Sequence, residues 1–423
     1  VRHASTIPEP PGRTEIAQTA RIDYNGVGII FTAAGCQPRL EIGMKVGLGL
    51  GASTGKPRAQ RVAAGAPFPE AIHQEVATAV ELLASRLDAD APARFRPAAS
   101  AMADLIRRNG KRVRPSLCLL GYEAADGPRL TRDGVTTFAA GLELLHAFLL
   151  VHDDIADRAD SRRGGPAVHV ALRPRVGALP EDERQRLGEQ LALVGGDWLY
   201  TRALTTMLEA PVAPDARARA LARVLDVCRA TAEGQYADIE LSARPLTTVS
   251  TDEVVEIYRL KTGRYTFEAP LVSGAMLAGA SEAICAALTD CARHLGIAFQ
   301  IQDDLFGIFA SECETGKPSL ADLREAKKTW LLLTACESAP GTERRWLEEL
   351  LARRAATVAD LSRVRGLVIE SGAFNRAVQE IERRCEAARA ALAVTRARSV
   401  AMALDPLINW IEARVTPRLQ EAA

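Results

Sequence analysis

Aromatic residues are scarce in this 423-residue sequence, at 5%, and no stretch alternates apolar and polar residues at period two for long. That combination argues against an extensive β-sheet. Net charge is absent as well, because 53 Lys+Arg meet 53 Asp+Glu. Without a global field, nothing draws the chain to nucleic acid or to an anionic membrane, and any anion binding must come from local clusters. The eight cysteines contain no CxxC pair, and no His/Cys cluster has zinc-site spacing. Scattered cysteines in a large chain predict a reduced, intracellular and hence cytoplasmic protein. No apolar run is read as long enough to span a membrane. The segment GVGIIFTAAGC, residues 26–36, resembles a lipoprotein signal only in part. Its apolar core is too short and acids precede it, so it is not expected to direct export.

What is present divides the chain in two. Residues 1–66 are rich in Gly, Pro, Ser and Thr and show no sustained helical period, so they are expected to form an irregular or disordered extension. Within them GLGLGASTGKP suggests a P-loop and fails the pattern: Leu50 stands where the first glycine belongs, and Pro57 where Ser or Thr is needed. From about Phe68 apolar residues recur at three- and four-residue spacing, as in PEAIHQEVATAVELLASRL and FNRAVQEIERRCEAARAAL. Short breakers such as Gly164-Gly165, Ala210-Pro211 and Ala339-Pro340 separate these segments. The fold class is therefore all-α, a single large bundle of long helices over residues 67–423. TTFAAGLELLHAFLLV and RHLGIAFQIQ have little polar face, which places them in the bundle interior.

Both interior segments run into paired aspartates. VHDDIADRAD carries Asp153, Asp154, Asp157 and Asp160, and QIQDDLFGIFA carries Asp303 and Asp304, with Gly307 where a third acid would match the first motif. Residues four apart share a helix face, so Asp153 and Asp157 project together. The first set is expected in the last turns of a helix ending by Gly164-Gly165. Carboxylates are unfavourable at that negative helix end, and like charges one turn apart repel. Such groups need cations, and an oxygen-only donor set suits Mg²⁺. A solvated acidic helix end explains one such motif as readily. Two motifs, each following an interior helix, favour a metal-clamped anion site. Basic clusters flank both: GKRVRP with Lys111, Arg112 and Arg114; Arg162 and Arg163; KTGRYTF with Lys261 and Thr262; and GKPSLADLREAKKT with Lys317, Lys327 and Lys328. Lysine and arginine are the residues that hold phosphate groups.

With GKRVRP, LELLHAFLLVHDDIADRADSRRGGPAVH, GQYAD, KTGRYTFEAP, FQIQDDLFG and GKPSLADLREAKKT in this order, the chain resembles the trans-isoprenyl diphosphate synthases of the polyprenyl synthetase family over residues 68–415. The resemblance implies helices around a central cavity and a homodimer. It implies condensation of isopentenyl diphosphate with an allylic diphosphate, assisted by three Mg²⁺ ions per active site. It assigns metal binding to Asp153, Asp157 and Asp303. Isopentenyl diphosphate falls to Lys111, Arg114, His146 and Arg163, and the allylic diphosphate to Arg162, Lys261, Lys317 and Lys327. Thr262 and Gln300 would sit near the reacting carbons. Members with Gly307's DDxxG form exist, so the missing acid is not expected to remove a main ligand. Phe148, about 7.5 Å before Asp153 at helical rise, would floor the product cavity, with the smaller Leu149 beside it. Members with this pattern resemble those that make twenty-carbon geranylgeranyl diphosphate, with the fifteen-carbon product second. A terpene cyclase on the same bundle would need no isopentenyl diphosphate pocket, and a non-catalytic regulatory subunit would be expected to lose its acids.

Overall fold

The computed structural model describes residues 19–24, 27–32, 68–108, 110–174, 179–310, 320–394 and 398–413. Lys317 lies outside them. The chain divides into two units, Val1–Ala63 and Ala64–Ala423.

In the first unit β1 (Thr19–Tyr24) pairs antiparallel with β2 (Val27–Thr32), Tyr24 opposite Val27. This corrects the expectation of an irregular extension for these residues. Asn25 and Gly26 separate the strands, and Asn-Gly is the pair that most favours a two-residue hairpin connection. A search for helical period alone passes over that signal.

The second unit is helical among its described residues, apart from one short ladder. Its first half comprises α1 (Glu70–Asp90), α2 (Arg96–Arg107), α3 (Val113–Ala124), α4 (Arg132–Ala156), the one-turn α5 (Val168–Ala171), α6 (Glu181–Leu208) and α7 (Pro214–Ala243). Then come α8 (Thr251–Ile257), a π-helix over Tyr258–Glu268, α9 (Ala269–Leu277) and α10 (Glu282–Phe309). The second half closes with α11 (Ala321–Arg324), α12 (Trp330–Ser338), α13 (Gly341–Arg353), α14 (Val358–Glu370), α15 (Ala373–Ala393) and α16 (Arg398–Ala413).

Local chemistry starts these helices where the sequence places oxygen acceptors. Ser250 and Glu253 form a reciprocal capping box at α8, Thr357 and Asp360 form another at α14, and Ser281 and Thr329 cap α10 and α12. Each satisfies amide groups that a helix start leaves unpaired.

Two apolar clusters form the core. One gathers α1, α2, α4, α6 and α7 around Phe138, Leu144 and Leu199; the other gathers α10 and the helices from α12 onward around Leu295, Ile301 and Ile381. Helices α3 and α9 contribute to both: Leu117 and Leu271 face one cluster, Cys118 and Ala269 the other. These two helices approach closely because each carries a glycine at the contact. A Cβ on Gly121 would overlap the Leu271 carbonyl, and one on Gly274 the Cys118 carbonyl.

The stretch Arg129–Ala156 is long and apolar enough by composition to cross a membrane, and most of it is buried inside the fold. The reading that no apolar run reaches that length is corrected here. The run is a core helix, packed on α3 and α6, and its hydrophobicity is spent on the interior.

The glycine seam yields a prediction. Gly274→Ala forces α9 away from α3 and disturbs both clusters. It should lower unfolding free energy by roughly 1–3 kcal/mol, read by urea denaturation. An exposed control, Gly341→Ala, meets nothing within 4 Å and should be near neutral.

Candidate active site

Helix α4 ends at Ala156, earlier than Gly164, and Asp157 is its C-cap, donating its N–H to the Asp153 carbonyl at 2.8 Å. That bond keeps Asp153 and Asp157 one turn apart on one face. Asp160 lies beyond the helix and accepts from Arg173 at 3.2 Å. Burial, then the Asp153 charge, push the Asp157 carboxyl up to about 6, against the pull of Lys327 and Lys261. Asp154 points the other way. It is fully buried and is held by Arg162, whose Nε donates to it at 2.6 Å.

Arg162 reaches Asp154 from a two-residue ladder, β3 (Ser161–Arg162) against β4 (Gly165–Pro166). Its turn is Arg163-Gly164, with φ of 52° and 74°. Positive φ at both central residues is the geometry of a tight hairpin whose twist matches its strands. Arg108 fastens the hairpin by donating to the carbonyls of Arg162 at 3.0 Å and Pro166 at 2.8 Å.

Arg163 turns toward the interior and pairs at 3.1 Å with Glu143, which also binds Arg112 and is 1% exposed. Arg114 lies 4.4 Å from the Tyr265 ring centre and donates to Thr266 at 2.7 Å. The His146 ring is 6.2 Å from the same tyrosine. Arg114 Nε and His146 Nδ1 are buried with no hydrogen-bond partner among the described residues. Burial holds the imidazole well below its usual pKa, and Arg114, Arg163, Arg162 and Arg112 all reinforce that direction. Several arginines and a neutral histidine balanced by one buried carboxylate make a site that attracts an anion. Lys111 is exposed beside it.

The second wall has the same division of labour. Asp303 is partly exposed, while Asp304 is 4% exposed and accepts from the Tyr258 hydroxyl at 2.6 Å. Burial pushes the Asp304 carboxyl well above its usual range; the Tyr258 bond opposes this and Asp322 and Asp303 reinforce it. The Tyr258 hydroxyl in turn accepts from the Trp330 amide at 3.0 Å. In the π-helix, Lys261 pairs with Asp238 of α7 at 2.7 Å, and Thr262 donates to Gln300 Oε1 on α10 at 2.9 Å. The π-helix and α10 touch backbone to backbone, since a Cβ on Gly296 would overlap Gly263 Cα. Lys327 is held by Glu325 at 2.6 Å and Asp322 at 3.4 Å. Burial works against its charge, but Asp322 and Glu325, with Asp157 across the cleft, raise its pKa overall.

Fields from Lys327, Glu325 and Lys261 reach Asp157, so the end of α4 lies within electrostatic range of the Glu325–Lys327 turn and of the π-helix. Among the described residues no three His, Cys, Asp or Glu side chains converge as a ready metal cage. Still, the donors fit a hard divalent cation: they are carboxylates only, and burial and the Asp153 charge raise the cost of an anionic Asp157, a cost that a bound cation would offset. Below Asp153, the Phe148 ring packs 4.7 Å from His152 and 5.0 Å from Tyr200 of α6. Leu149 is half-buried beside it.

The family model described as Polyprenyl synthetase matches residues 96–368, which takes in both acidic motifs. The chain belongs to the polyprenyl synthetase family. Its similarity extends to a "Short chain isoprenyl diphosphate synthase" of Methanothermobacter thermautotrophicus, 36% identical over 58% of this chain and 69% of the relative. A "Geranylgeranyl diphosphate synthase" of Saccharolobus solfataricus is 31% identical over 65% of this chain and 77% of that one. Among solved structures, a geranylgeranyl pyrophosphate synthase from Corynebacterium glutamicum, complexed with isoprenyl diphosphate and magnesium, superposes with a TM-score of 0.69 at 29% identity. The alignment covers 81% of this chain and 98% of that one.

Sequence reasoning about this polyprenyl synthetase passed over the residues that hold the others in place. Glu143 and Tyr258 are buried polar partners that nothing in their spacing marks, and the pairing that marks Asp154 and Asp304 does not show that they turn inward. Asp238 was legible in part, since GQYAD stands out as a motif, but its pairing with Lys261 crosses 23 residues.

His146 supplies a pH test. Its folded pKa is depressed, so the unfolded chain takes up a proton first as pH falls. Its contribution is full above about pH 6.5 and is lost below that, at up to about 1.4 kcal/mol per unit. Wild type should therefore lose stability relative to His146→Gln between about pH 6.5 and 5. Denaturation curves that stay parallel over that range would contradict the assignment.

Proposed function

We propose that this chain is a short-chain prenyltransferase that condenses isopentenyl diphosphate with an allylic diphosphate. The observation that carries the reading is a buried, arginine-rich group with two unpartnered nitrogens, Arg114 Nε and His146 Nδ1, separate from the two acidic motifs. A diphosphate-ionising cyclase needs only the walls.

The pocket of Lys111, Arg114, His146 and Arg163 holds the isopentenyl diphosphate. Lys261, Lys327 and Arg162 hold the allylic diphosphate, and Lys317, outside the described residues, is assigned to it by family resemblance alone. Asp153, Asp157 and Asp303 would hold Mg²⁺, three ions per site, which when bound neutralises the leaving diphosphate. The allylic C–O bond then breaks, and the C=C of isopentenyl diphosphate attacks the resulting cation to form the new C–C bond. A proton lost to the departing diphosphate restores the double bond. Thr262 and Gln300 present paired dipoles where positive charge develops, and the Gln300 carbonyl oxygen is the favourable end. The apolar lining excludes water that would trap the cation.

Phe148, backed by Tyr200, forms the floor of the product cavity and limits the chain to twenty carbons, with fifteen the second choice. The protein works as a homodimer, supported by exposed apolar side chains on α6 and α7: Val194 at 62%, Leu208 at 55%, Tyr236 at 76% and Ile239 at 55%. Its six described cysteines are free thiols, which supports a reducing, cytoplasmic location.

Incubation with labelled isopentenyl diphosphate and each allylic primer tests the reaction. Turnover should need a divalent metal, and Asp153→Ala or Asp303→Ala should lower it by several orders of magnitude. Full activity in excess chelator would refute the proposal. By mass spectrometry Phe148→Ala should lengthen the product and Leu149→Phe shorten it. An unchanged distribution for Phe148→Ala would place the floor elsewhere.

A further inference from the structure

Gly307 stands one turn after Asp303 on α10, at the position where the first motif carries its third acid. A Cβ built on Gly307 would overlap Asp322 Oδ2. The space in which an aspartate side chain at 307 would begin is thus already filled by a carboxylate from another element. We propose that Asp322 supplies, from α11, the acid that the second motif lacks. It would act on the cation-bound diphosphate by ligating the cation or accepting hydrogen bonds from its waters. The proposal rests on the diphosphate reading of this cleft.

Asp322 is positioned for this by its own turn. Its carbonyl accepts the Lys327 amide at 3.0 Å, and its Oδ1 lies 3.4 Å from Lys327 Nζ. The lysine is shared with Glu325 at 2.6 Å, so Asp322 is not its sole counter-charge. The Asp322 side chain is 25% exposed, enough to reach solvent in the cleft. Gly307 and Asp303 are one turn apart on the same face of α10, so a carboxylate lying against Gly307 is in the same acidic wall as Asp303. Gly307 is then a position cleared for Asp322, and the motif's third acid comes from a distant point in the sequence. A carboxylate that orders the waters or ligands around a metal typically affects its affinity by ten- to a hundredfold.

The test is calorimetric titration of Mg²⁺ into the full chain with inorganic pyrophosphate present, so that the readout is binding and not turnover. Asp322→Asn keeps the shape and removes the charge, and should weaken Mg²⁺ binding by about tenfold or more. The double variant Gly307→Asp/Asp322→Gly returns the acid to the helix and should recover most of that loss. A purely structural Asp322 would lower thermal stability in both variants without this pattern of loss and rescue. Wild-type affinity in Asp322→Asn would overturn the proposal and leave the diphosphate reading standing. So would a double variant no better than Asp322→Asn while still folded by circular dichroism. Absence of any Mg²⁺-dependent pyrophosphate binding by wild type would overturn both.

Discussion

The candidate site is arranged around the repulsion between carboxylates placed at the ends of apolar helices. Each paired motif resolves it in the same way. One aspartate, Asp153 or Asp303, stays toward the cleft. Its neighbour is turned into the protein, where Asp154 pairs with Arg162 and Asp304 accepts a hydrogen bond from the Tyr258 hydroxyl. Burying a lone carboxylate is costly, and a partner with good geometry offsets the cost. The inward aspartate fixes the rotation of its helix and thereby aims the outward one.

The cations follow from the same constraint. Arg163 and Arg112 converge on Glu143, so two guanidinium groups are brought into the interior by one acid. The leftover positive charge is what makes the pocket attract an anion. Lys261 and Lys327 are likewise held by carboxylates at 2.7 and 2.6 Å. Lysines already held in one geometry lose less freedom when a ligand arrives.

The all-α class and the buried course of α4 and α10 could be read from residue spacing, because burial on every side leaves a helix with no polar face. The two acidic motifs and their basic neighbours were equally legible, since charge inside apolar runs has few explanations. Resemblance supplied the roles. What stayed hidden depends on contacts between distant elements: Glu143 under the hairpin, Tyr258 under Asp304, and Asp322 above Gly307. The β1–β2 hairpin was missed for a different reason, because two short strands leave no period long enough to stand out against Gly- and Pro-rich surroundings. The membrane-length run in α4 was misjudged because its scattered polar residues interrupt the eye more than they lower the average.

The contact between Gly263 and Gly296 bears on how this enzyme tolerates change. Thr262 and Gln300 are brought together by two backbones touching, with no side chain between them to be repacked. Substitutions elsewhere in either apolar cluster can alter volume and shape without resetting that spacing. The lysine and threonine of the π-helix therefore sit on a foundation that sequence drift in the surrounding core leaves alone. The Thr262–Gln300 spacing is thus set by a backbone contact and not by the packing that surrounds it.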